Sequence, residues 1–108
     1  MLTESKIILP IHGNDMHPLD AQLATVEDIL LQQFGGYNCT VGKGAWRNDK
    51  GKVYYDMVQV YSVAADWSLP HNSLALRQIA RYASVLMEQE SVYMCLDGQV
   101  EFVVPYDK

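Results

Sequence analysis

The run from Val53 to Ala64 is the longest β-type stretch in this chain, and it is apolar on both of its alternating sides. One side reads Val53, Tyr55, Met57, Gln59, Tyr61, Val63. The other reads Tyr54, Asp56, Val58, Val60, Ser62. Neither side is cleanly polar, which is the pattern of a strand covered on both faces of its sheet. A chain with such a strand must supply one layer of its own to bury the first face. The second face is then solvated, used for binding, or covered by a second subunit, and homodimerisation through it is the expectation.

The remaining segments arrange themselves around this strand. Lys6 to Ile11 reads as strand 1, interrupted by Pro10 and ended by His12-Gly13-Asn14-Asp15. From Asp20 to Phe34, Leu23, Val26, Leu30 and Phe34 recur at helical spacing. Asp20 or Thr25 could cap that helix, and Gly35-Gly36 supplies a left-handed exit. Tyr37 to Arg47 reads as an irregular strand, because Gly42 and Gly44 weaken it or mark a bulge or a close backbone approach. Asn48-Asp49-Lys50-Gly51 turns it into the long run to form a hairpin. After the polar connection Ser68 to Asn72, which contains Pro70, the residues Leu76, Ile79, Ala83 and Leu86 mark a second helix reaching about Gln89. Ser91 to Leu96 and Gln99 to Val104 close as a hairpin about Asp97-Gly98. The order β-α-β-β-α-β-β is that of an α+β ferredoxin-like plait with one extra strand, an antiparallel sheet carrying both helices on one face.

All of this fits within 108 residues, the size of one domain, so residues 1–108 are read as a single domain. The formal charge of -5 leaves no surplus of Lys and Arg for phosphates or an anionic bilayer, so neither direct nucleic-acid binding nor membrane binding is expected. No apolar run is long enough to span a membrane and the N-terminus lacks a signal-peptide pattern, which favours a cytoplasmic location. Cys39 and Cys95 lie far apart in strand-like segments and read as two reduced, buried thiols.

Few polar positions could carry chemistry. Trp46 and Arg47, with Tyr54 and Tyr55 across the hairpin, could form an aromatic platform with a cation for a planar or anionic ligand. Cross-strand packing explains the same residues without any ligand. Glu90, where the second helix hands over to a strand, and Tyr93 just beyond complete the binding candidates. His12, Asp15 and His17 are weak metal candidates whose spacing matches no motif. Gly42-Lys43-Gly44 lacks the strand-to-helix setting and Lys-Ser/Thr ending of a phosphate loop. No nucleophile elbow and no Cys-x-x-Cys pair is present, and no cofactor is implied.

The segments Phe34-Gly35-Gly36-Tyr37, Gly44-Ala45-Trp46 with Gly51, and Gln89-Glu90-Ser91-Val92-Tyr93 resemble the pattern of small bacterial and phage proteins of unknown function. The resemblance runs from about Ser5 to Val104 and implies the plait fold and a bacterial or phage origin, with no catalytic residue to carry over. The functional expectation is therefore a non-enzymatic binding or accessory protein, dimeric, holding a host protein or a small ligand. Two alternatives stand beside it. One is a phage-encoded inhibitor of a host or defence protein. The other is a small dimeric plait enzyme using His12, Asp15, Glu90 or Tyr93 as acid and base.

Overall fold

The computed structural model describes residues 1–106. Its elements in chain order are β1 (Thr3–Pro10), α1 (Asp20–Phe34), β2 (Asn38–Arg47), β3 (Val53–Ala65), α2 (Pro70–Leu86), β4 (Val92–Leu96) and β5 (Gln99–Val103). They form one five-stranded sheet in the order β2-β3-β1-β4-β5, with every neighbouring pair antiparallel. This is the ferredoxin-like plait with β5 added at one edge. The two-sided apolar run is β3, paired along both edges by β2 and β1.

Register decides which side of each strand meets the helices. Ile7 pairs with Tyr61 on one flank and Met94 on the other, so these three side chains project to the same face. With Leu9, Val63, Val92 and Val103 they form the sheet half of the core. Leu23, Val26 and Leu30 of α1, and Leu76, Ile79, Ala80 and Ala83 of α2, supply the other half. Each large apolar side chain buried here stabilises the fold by about 1.5–3 kcal/mol. Trp67 joins the core and donates its indole N–H to the Thr3 carbonyl at 2.8 Å, which ties the start of β1 to the segment before α2.

Several local details differ from the sequence reading. α1 has Leu19 at its N-cap with no side-chain cap; Asp20 instead sits in the first turn, where its charge favours the positive end of the helix dipole. Thr25 returns its hydroxyl to the Ala21 carbonyl at 3.1 Å. α2 begins at Pro70, whose fixed φ suits a first helical turn, and ends at Leu86, ahead of Glu88 at φ 55. β2 is a regular strand: its register with β3 runs residue for residue from Asn38↔Ser62 to Arg47↔Val53, so Gly42 and Gly44 mark no bulge. Cys39 is exposed and Cys95 half-buried, both as free thiols: Cys39 lies on the edge strand β2, and Cys95 faces the open side of the sheet beside Lys6. The turns at Gly35, Gly51 and Asp97-Gly98 take the positive φ expected of them. No helix among the described residues is long and apolar enough to cross a membrane.

β1 accompanies β3 only as far as Pro10↔Val58. Beyond that pair, residues 43–57 continue as a two-stranded arm, and the molecule measures 42 × 28 × 27 Å.

Candidate functional site

The arm carries the chain's densest polar and aromatic chemistry. On the face continuous with the open side of the sheet, Trp46 stands directly opposite Tyr54. Their rings stack with centroids 4.6 Å apart and planes at 16°. The Trp46 indole N–H donates to Asp56 Oδ2 at 3.2 Å. Asp56 faces Gly44, and Val58 faces Gly42, so the strip of β2 beside the aromatic pair bears no side chains. A Cβ built on Gly44 would meet only the Asp56 carbonyl at 4.0 Å, and one on Gly42 only Val58 Cγ2 at 3.7 Å. Neither glycine is demanded by packing. Lys52 Nζ lies 4.9 Å over the Tyr54 ring, giving a row of cation, stacked aromatics and carboxylate.

The other face of the arm repeats the theme in a looser form. Lys43 Nζ lies 4.8 Å over the Tyr55 ring, with Met57 nearby in the register. Lys43, Arg47, Lys50 and Lys52 together are half of all Lys and Arg in the chain. Trp46 is 53% exposed and Tyr55 64%, values that mark these rings as unspent surface rather than core.

The six binding candidates from the sequence are thus divided by the structure. Trp46 and Tyr54 form one unit, Tyr55 lies on the reverse of the arm, and Arg47 is exposed at the end of β2 opposite Val53. Tyr93 is on β4, edge-on to Phe102 at 5.8 Å, and Glu90 is exposed in the α2–β4 turn. Asp56, Lys52 and Gly44 were absent from the candidates. Alternation along β3 places Tyr54 and Asp56 on one side, but their union with Trp46 depends on the hairpin register.

The histidine-bearing loop is a separate matter. Asp15 accepts from His17, which holds the Asp15 carboxyl below its usual range. His12 makes an isolated bridge with Pro18. Asn14 donates to the Glu88 carbonyl at 3.1 Å, bringing this loop to the α2–β4 turn. No hydrogen bond or ion pair joins His12 or Asp15 to Glu90 or Tyr93 among the described residues. Nor do three His, Cys, Asp or Glu side chains gather among them into a set that could hold a metal ion.

No family model and no curated protein matches the chain. Among solved structures it is similar to a phage SAM lyase in complex with S-methyl-5'-thioadenosine, with a TM-score of 0.68 and 12% identity over 94% of this chain and 88% of that one. It is also similar to a phage SAM lyase in the apo state, with a TM-score of 0.66 and 9% identity over 96% and 83%. These neighbours correct the functional expectation. Both of these neighbours are enzymes, so the fold lends no support to the non-enzymatic binding or accessory reading, which is set aside.

Proposed function

We propose that this chain is an enzyme of phage or bacterial origin that binds S-adenosylmethionine on the open face of its arm and cleaves it to S-methyl-5'-thioadenosine. The observation that carries this reading is the Trp46–Tyr54–Asp56 constellation, set in a plait shared with SAM lyases over nearly its whole length. Stacked aromatics suit an adenine ring. A carboxylate suits the ribose hydroxyls, as acidic residues do in dinucleotide sites.

The chemistry explains why no acid–base set is needed. A sulfonium is already a leaving group. The substrate's own carboxylate attacks Cγ, the O–Cγ bond forms as the Cγ–S bond breaks, and the electron pair goes to sulfur. The products are a five-membered lactone and the neutral thioether, with no proton transferred. The protein's part is to fold the substrate so that carboxylate and Cγ meet, and to exclude water. A carboxylate pressed against the sulfonium would stabilise the charge that the reaction removes, so the ribose diol is the productive place for Asp56.

The test is direct. Purified protein is incubated with S-adenosylmethionine and the mixture is resolved for S-methyl-5'-thioadenosine. The reading expects the thioether to accumulate with enzyme concentration; no turnover and no thioadenosine binding would overturn it.

We further propose that a second copy covers the open sheet face. Val58, Val60 and Ile8 are half-buried there, and Val100 and Phe102 are exposed on the same side. Light scattering coupled to gel filtration tests this, and a monomer of 12.2 kDa at high concentration would overturn it.

A further inference from the structure

The arm is a two-stranded ribbon, and such ribbons have little stability of their own. Its direction is therefore set at its root, where β3 leaves the body. On the strand edge the root is held by the Ile11 N–H, which donates to the Met57 carbonyl at 3.1 Å. On the helix face it is held by side chains. The buried Tyr61 hydroxyl donates to Glu27 Oε2 of α1 at 2.6 Å and also contacts the Gln59 amide. Cys39 Sγ reaches that same amide at 3.4 Å from β2, and Tyr37 packs edge-on against the Tyr61 ring at 5.6 Å. A phenol has one hydrogen, so the set is complete when Tyr61 donates to Glu27 and Gln59 turns its NH2 toward the phenol oxygen. Among the described residues this is the one side-chain hydrogen bond between α1 and the sheet.

We infer that Glu27, Tyr61 and Gln59 lock the root of the arm, and that Tyr61 is a positioning residue for the Trp46–Asp56 face. Gln59 lies three positions from Asp56 on the same strand, so any rotation of β3 that the lock prevents would be carried directly into the arm. The ring of Tyr61 belongs to the core, whereas its hydroxyl serves only this network. Packing and positioning are therefore separable by Tyr61→Phe, which keeps the ring. The effect on ligand rests on the proposed nucleoside site; the effect on the arm does not.

The experiment compares wild type, Tyr61→Phe, Glu27→Ala and Glu27→Gln by amide hydrogen exchange and by binding of S-methyl-5'-thioadenosine. The amides of Ile7 and Met94, central in the sheet, report global opening. Relative to them, Tyr61→Phe and Glu27→Ala should speed exchange in residues 43–57 by about tenfold and weaken thioadenosine binding by a similar factor, the scale of one hydrogen bond to a charged acceptor. Glu27→Gln, which keeps an acceptor oxygen, should restore most of both. Arm exchange that rises only in step with Ile7 and Met94 would overturn the lock. So would unchanged thioadenosine affinity in Tyr61→Phe, if wild type binds. If wild type does not bind, the proposed function fails while the exchange data still decide the lock.

Discussion

Trp46 donates its indole N–H to Asp56 from the opposite strand of the arm, 3.2 Å away and two residue pairs out of register. The bond occupies Oδ2 and leaves Oδ1 without a protein donor among the described residues. That free oxygen is the one assigned to the ribose diol. Asp56→Asn keeps an acceptor for Trp46 and removes the charge, so the fold should be unaffected. A hydrogen bond to a charged acceptor contributes about 1.5–3 kcal/mol, which translates into a KM for S-adenosylmethionine raised roughly 10- to 100-fold. Because the diol is bound alike before and during bond breaking, kcat should change little. Trp46→Ala should weaken binding by about 1–3 kcal/mol through lost stacking. Steady-state kinetics of thioadenosine formation separate the two effects; a collapse of kcat alone in Asp56→Asn would contradict the assignment.

Gly44 lies directly opposite Asp56 and two positions before Trp46 on β2, with ordinary room for a Cβ. Glycine inside a strand costs about 0.5–1 kcal/mol relative to alanine. Gly44→Val should therefore leave the melting temperature unchanged or raise it, while its branched side chain fills the bare strip and blocks the ligand. Thermal unfolding and thioadenosine binding, measured on one preparation, check both halves. A variant that is more stable and still fully active would show that the strip is not used.

What could be read from residues alone, and what could not, follows from the range of the interactions. Leu23, Val26 and Leu30 announce α1 because helical spacing is local, and Asp97-Gly98 announces its turn because the dipeptide itself takes the required φ. The apolar run of β3 is equally local, so the strand itself was legible. The site was half legible. Trp46 and Tyr54 were paired through the hairpin, but Asp56 joins them only once the register is fixed, and Glu90 and Tyr93 proved to lie elsewhere. The functional inference failed for a chemical reason. A missing acid–base set argues against an enzyme only when the reaction needs proton transfer, and the proposed cleavage at a sulfonium does not.

Arg77 of α2 reaches Glu101 of β5 at 2.8 Å, the ion pair that ties the added edge strand to the helix layer. Arg77 holds the Glu101 carboxyl below its ordinary 4.5, and Glu101 holds the guanidinium charged. A depressed carboxylate contributes stability above its unfolded value and loses it as pH falls through the folded one. Both side chains are substantially exposed, 33% and 44%, so solvent screens most of this. Glu101→Gln should cost about 0.2–1 kcal/mol at neutral pH and almost nothing under acid conditions. Denaturant unfolding at two pH values measures the difference, and an equal cost at both would show that charge is not its source.

Tyr61 offers a sharper titration. Burial, then its hydrogen bond to Glu27, push the phenol far above its ordinary 10.0. In the unfolded chain it titrates near that ordinary value. The stability associated with the protonated hydroxyl is therefore complete below pH 10 and declines as pH rises beyond it, because the unfolded chain releases a proton that the folded one keeps. Tyr37 is raised as well, first by burial and then by Glu27, and contributes to the same decline. Wild type should thus lose stability steeply on the alkaline side, and Tyr61→Phe should flatten that slope. Tyrosinate absorbance followed through alkaline unfolding gives an independent reading: at least one phenol should ionise only together with the loss of structure. If all the tyrosines ionise in a single smooth step while the fold persists, the Tyr61 hydroxyl is not held between Glu27 and Gln59, and the arm's root has no lock on its helix face.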